Sequence, residues 1–171
     1  MTILRYTDDT DKSLGMAGMA IALVACDCEH SLAEVDLDSD NPMRLAEEFY
    51  FCGNPRQSAR IAWNEFLRQF HVEMSMILGN VLCRRYLSGH RPEPELLTAI
   101  HDFLRDEGKS NCQLEDDEIE RLYTKDLNYH TRLFTHSGVQ QVASDLATLL
   151  RMRRRMSAGD VLEQLARLNQ L

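Results

Sequence analysis

Residues 59, 63, 66, 70, 74, 77 and 81 are Ala, Trp, Phe, Phe, Met, Ile and Val, at spacings of 4-3-4-4-3-4. Only an α-helix brings such positions onto one face, because its side chains come into line every three or four residues. Leu67, Leu78 and Leu82 widen the stripe. Asn54-Pro55 opens the segment and the Ser88–Pro94 stretch closes it, so the spacing predicts one helix over about 55–87. Such a rod is on the order of 50 Å long, with a break near His71 or Gly79 as the alternative. Its apolar face needs other helices to cover it, which points to an all-α fold.

The rest of the chain supplies those helices. Apolar or small residues at 14, 17, 20, 21, 24 and 28 predict a helix from Ser13 to about His30, after a loosely ordered lead-in over 1–12. Gly15, Ala17, Gly18, Ala20, Ala22 and Ala25 keep it thin, so a neighbouring backbone can approach closely. Residues 32–38 alternate like a strand, but no other segment offers an obvious partner, and an extended loop is expected. Asp40-Asn41-Pro42 reads as a cap and first turn, with a short helix to Cys52 and Gly53 after it. Further helices are expected over 94–107, ended by Gly108, over about 117–134, and from Val139 onward. A last one follows a capping-box pattern at Ser157 and Asp160. With no repeat or linker, the expectation is a single all-α domain over 1–171, a bundle of six to eight helices around the long central one.

Charge narrows the function classes. The chain carries 19 Lys and Arg against 27 Asp and Glu, a formal charge of −8. Residues 1–54 hold three cations against eleven acids, whereas residues 139–171 hold five cations against three acids. An acidic chain lacks the surplus of cations that phosphate neutralisation requires, which excludes general nucleic-acid binding. Arg151, Arg153, Arg154 and Arg155 form a basic knot near the end of a helix, and pairing with the acidic 34–40 stretch, within or between chains, is expected. The five cysteines, Cys26, Cys28, Cys52, Cys83 and Cys112, are odd in number and lack framework spacing. They read as reduced thiols in a cytoplasmic protein.

One targeting pattern is present. The apolar or small run from Leu14 ends in Leu23-Val24-Ala25-Cys26, which resembles the cleavage box of bacterial lipoprotein signal peptides. That resemblance implies a membrane-anchored lipoprotein. Asp8, Asp9 and Asp11 give the preceding residues the wrong charge for a signal peptide, and the run is too short to span a bilayer. A buried helix with no membrane span is the expectation.

Among candidate sites, Asp126 and His130 stand out. Both fall near the centre of the apolar face of the 117–134 helix, which Ile119 and Tyr123 define. An acid and an imidazole four residues apart in the buried direction are expected to satisfy one another, with the carboxylate holding His130 protonated. Glu73, Asn80 and Tyr129 are plausible neighbours. The functional reading is an acid–base or metal pair in a bundle interior, with His101 and Glu73 as weaker members. The other reading is a polar pair that specifies helix register.

Two further motifs fail on geometry. Cys26, Cys28 and His30 would not share one helix face. His101-Asp102 repeats, with His71 and Asp126, the residue order of the HD-type metal phosphohydrolases, but by spacing alone, and Asp102 would point away from the core. No cofactor motif occurs, so none is expected. These readings favour a non-catalytic module that contacts a protein partner or itself. The Leu165 and Leu168 stripe and the arginine knot are its expected contact residues, and a metal-dependent or acid–base hydrolase using Asp126 and His130 is the alternative.

Overall fold

In the computed structural model of the chain, residues 4–50 and 58–170 are described. Seven α-helices and a three-stranded sheet are found among them. The first helix, α1, runs from Asp9 to Ala25, four residues earlier at its start than Ser13. Asp8 caps it by accepting a bond from the Asp11 N–H, and the Asp11 carboxylate accepts from the Thr7 N–H. The three aspartates that argue against a signal peptide are therefore helix-start residues. Helix α1 thus takes up Asp9 to Lys12 of the expected lead-in. At the other end Asp27, at φ 52°, leaves helical geometry, so Cys28 and His30 lie beyond the helix.

The long helix, α3, spans Ala59–Leu87 without interruption at His71 or Gly79, and Ser58 caps it. The beginning of the expected 55–87 span, like the whole 51–57 stretch with Cys52, Gly53 and Pro55, lies outside the described residues. Before it stands a single turn, α2, at Glu47–Tyr50. Helix α4 covers Pro94–Cys112, α5 Asp116–Thr135, α6 Ser137–Arg153 and α7 Ala158–Leu165, followed by a 3-10 turn at Ala166–Gln170. Gly108 does not end α4. It lies within it, where an added Cβ would meet Phe70 at 3.0 Å and Ile119 at 3.2 Å. The glycine is there for close packing. Glu115 and Glu118 form a capping box on α5, and Ser157 and Asp160 form one on α7.

The 32–38 segment is not a loop. Leu32–Asp36 forms strand β1, flanked by β2 at Met43–Leu45 and β3 at Arg155–Ser157, antiparallel on both sides. Each partner is only three residues long, too short to show an alternating pattern in sequence. Pro42 precedes β2 and starts no helix. Val35 is fully buried and faces Met43 and Met156 across the two ladders.

The centre of the fold is the crossing of α1 on α3. A Cβ on Gly18 would stand 2.2 Å from the Gly79 carbonyl oxygen, and one on Gly79 would stand 2.6 Å from the Gly18 carbonyl oxygen. Neither glycine has room for any side chain, so the two backbones touch. Ala17, Ala20, Ala22, Met74, Leu78 and Leu82 are all at most 1% exposed around that contact. Arg84 on α3 locks the near end, its guanidinium binding both carboxylate oxygens of Asp11 and, at 2.7 Å, the Arg5 carbonyl. Burial pushes the Asp11 carboxyl up, but the bond and charge of Arg84 together with the bonds from Thr7 outweigh it and leave it below its ordinary value.

The arginine knot divides. Arg154, at φ 63°, has left the helix and binds Asp38 and Asp9, and Arg155 binds Glu34. Arg151 instead reaches the Ser13 hydroxyl at 3.2 Å, and Arg153 reaches Asp160. Only two of the four therefore meet the acidic stretch. No helix among the described residues is long and apolar enough to cross a membrane.

The Gly18–Gly79 contact predicts that Gly18→Ala and Gly79→Ala each lower the unfolding free energy by about 2–3 kcal/mol, the cost of forcing atoms into a closed core. Urea titration followed by circular dichroism measures this. Gly159→Ala is the control, since its Cβ would meet only the Ser157 hydroxyl at 3.9 Å.

Candidate functional site

Three helices converge on a cavity of about 290 Å³. The end of α1 supplies Ala25 and Cys26, the middle of α3 supplies His71 and Ser75, and α5 supplies Lys125, Asp126, Tyr129, His130 and Arg132. Helical spacing explains the grouping: residues four apart on α3 and on α5 lie one above the other and face the same neighbour.

Asp126 is the hub. It is 4% exposed, and its two carboxylate oxygens are held from α3, Oδ1 by His71 Nε2 at 2.8 Å and Oδ2 by the Ser75 hydroxyl at 2.8 Å. Ser75 is fully buried, and the Cys26 thiol is within hydrogen-bonding reach of it. The network thus ties α5 to α3 and touches α1. The mutual pairing expected of Asp126 and His130 is not made through the carboxylate. His130 Nδ1 lies 2.9 Å from the Asp126 carbonyl oxygen, one turn back along its own helix. A carbonyl only accepts, so Nδ1 carries the proton. His130 is 1% exposed, and its Nε2 has no hydrogen-bond partner among the described residues.

Nor is His130 held protonated. Burial outweighs the favourable influence of Asp126 and pulls its pKa below the ordinary imidazole value. The expectation failed because the carboxylate turns toward α3, leaving desolvation as the larger effect. Tyr129 lies edge-on to the His130 ring at 5.2 Å.

The weaker candidates lie elsewhere. His101 Nε2 is 2.8 Å from Glu120, and its ring meets Tyr123 edge-on at 4.8 Å, while Asp102 points outward with its side chain 65% exposed. His71 and Asp126 do meet, but the His101-Asp102 dipeptide does not line their cavity, so the phosphohydrolase-like order is not assembled. Glu73 faces a separate groove between α3 and α4 with Phe66, Phe70 and Glu107, and burial raises its carboxyl pKa. Asn80 donates to the Tyr6 hydroxyl at 2.9 Å. Ser75 escapes the sequence reading, and His71 enters it only through the phosphohydrolase-like order, because nothing in their local spacing marks them as partners of Asp126. Their four-residue separation on the stripe's flank is the only signal.

The arrangement is a poor nucleophile site. Ser75 donates its hydroxyl hydrogen to a carboxylate, a weak base, and the His71 imidazole sits on that carboxylate's other oxygen rather than on the hydroxyl. Burial pushes the Cys26 thiol up, away from the reactive thiolate. Among the described residues no three His, Cys, Asp or Glu side chains are grouped to hold a metal ion. Fold and site together define an all-helical bundle with a small antiparallel sheet and a buried Asp-centred polar network. No protein-family model matches the chain, and no curated protein or solved structure matches it either.

Two measurements follow from this network. Asp126→Ala strands the Ser75 and His71 donors and lowers stability by about 3 kcal/mol, within the range for breaking a buried polar pair. The depressed pKa of His130 makes the unfolded chain take up its proton first, near pH 6.5, so stability falls as pH drops below that point. His130→Phe removes a slope of up to about 1.4 kcal/mol per pH unit. Denaturation midpoints of both proteins from neutral to mildly acidic pH read the difference.

Proposed function

We propose that this protein is a non-catalytic, cytoplasmic interaction module that associates with a second copy of itself through the first three turns of α3. One observation carries the reading: the apolar stripe of α3 outruns the bundle that covers it. Helix α3 has 29 residues and α1 has 17, about 43 Å against 25 Å. From Phe70 onward the stripe is core, with Met74, Ile77 and Val81 at most 3% exposed. Before Phe70 it is not, since Trp63 is 39% and Phe66 is 43% exposed. On α2, Tyr50 is a further exposed aromatic, at 55%.

Large aromatic side chains standing in water at one end of a helix are the composition of an interface centre. The surroundings carry both signs of charge, with Arg68 lining one pocket together with Glu48 and Glu65. A surface of mixed sign suits a second copy of itself better than a strongly charged partner, and an isologous dimer buries each stripe against the other.

The contact residues differ from those that sequence suggests. Leu165 is 2% exposed and Leu168 packs on the chain's own core, so that stripe faces inward. Arg154 and Arg155 pair within the chain, which leaves an apolar contact as the better-supported route. The cytoplasmic assignment rests on Cys26, Cys28 and Cys83, which form no disulfide among the described residues.

Trp63 is the single tryptophan, so its fluorescence reports on the surface directly. Sedimentation of the full chain is expected to show a dimer whose fraction rises with concentration and survives high salt. Tryptophan emission shifts to the blue in parallel. Phe66→Ser gives a monomer with unchanged circular dichroism. A wild-type monomer with concentration-independent emission overturns the reading.

A further inference from the structure

The cavity between α1, α3 and α5 lies apart from the surface at the start of α3, and its chemistry is that of a binding site. His130 lines it, nearly inaccessible at 1% exposure, and its Nε2 has no hydrogen-bond partner among the described residues. Because Nδ1 holds the ring proton against the Asp126 carbonyl, Nε2 presents a lone pair. A buried acceptor left unpaired costs about 1–3 kcal/mol, which a ligand bringing a donor recovers. Beside it is the Asp126 carboxylate, with one bond to each oxygen, from His71 and from Ser75. An ionised carboxylate has about four acceptor positions, so each oxygen has capacity for another donor.

These two acceptors, one of them anionic, select a cation with several N–H groups. Ala25 and the Tyr129 ring, which also line the cavity, supply an apolar wall and a π face, both suited to an alkylammonium group. A volume of about 290 Å³ lies at the small end of ligand sites. We propose that this cavity binds a small primary amine, whose ammonium group donates to His130 Nε2 and to the Asp126 carboxylate. The exposed Lys125 and Arg132 at the rim disfavour a second ammonium group and tolerate a carboxylate at the far end. Simple alkylamines and amino-acid-like zwitterions therefore share the recognised chemistry. Tyr129, 45% exposed and edge-on to the imidazole, is the side chain that swings to uncover Nε2. Exposed rotamers exchange fast enough not to limit entry.

Long-range proton–nitrogen NMR of the histidine rings in the ¹⁵N-labelled full chain tests this near neutral pH, with propylamine, β-alanine and propionate as probes. Propylamine is expected to move the His130 Nε2 signal saturably, and propionate is expected to leave it in place. A tighter response to β-alanine than to propylamine assigns the site to zwitterions, and an equal or weaker one to simple amines. Asp126→Asn, which keeps the shape and removes the charge, weakens binding at least about tenfold, and His130→Phe abolishes it. Should Asp126→Asn fail to fold, the contrast between propylamine and propionate on the wild type still decides. An equal response to propionate, or no saturable response to either amine, overturns the proposal and leaves Nε2 to water.

Discussion

The contact between the Gly18 and Gly79 backbones is the constraint on which the rest of the molecule depends. Helices normally pack 8–10 Å apart, at a distance set by their side chains, and here each helix lacks a side chain at the crossing. Close approach brings the Ala-rich face of α1 against the leucines and methionines of α3 and puts Arg84 within reach of Asp11. It also places the end of α1 beside His71 and Ser75, which makes the Asp126 network a junction of three helices. Intrinsic propensity does not favour glycine in a helix interior, so α1 owes its stability to that packing.

Charge follows from the same placement. The acidity of the first third calls for basic partners within the chain or outside it, and part of it is answered within. Asp11 meets Arg84, Asp9 and Asp38 meet Arg154, and Glu34 meets Arg44 and Arg155. Most of these pairs are exposed, and such pairs contribute little stability individually. Their role is to fasten the sheet and the chain's later part to the start of α1. Apart from these charges, the Trp63–Phe66 end of α3 is an exposed apolar feature.

Much of the helical layout was legible because it is local. Capping at Ser157 with Asp160, the acidic start of α5 and the long period of α3 depend on neighbours within a few residues. The errors have physical reasons. Gly108 reads as a stop because glycine favours helix ends, but close packing against Phe70 and Ile119 holds it in mid-helix. The 32–36 strand reads as a loop because each of its partners spans three residues. The stripe of α3 reads as buried throughout because periodicity reports a face and says nothing about what covers it.

The candidate site divides along the same line. Sequence by itself determined that Asp126 and His130 project from the apolar face of α5, since helical phase is a property of spacing alone. It also determined that α1 is thin enough for close approach. Only the tertiary structure decided that Asp126 would turn to His71 and Ser75, 55 and 51 residues away, and leave His130 Nε2 unpartnered. A hydrogen bond is made or lost within a few tenths of an ångström, and that distance is set by how two helices cross, which no spacing within either one encodes.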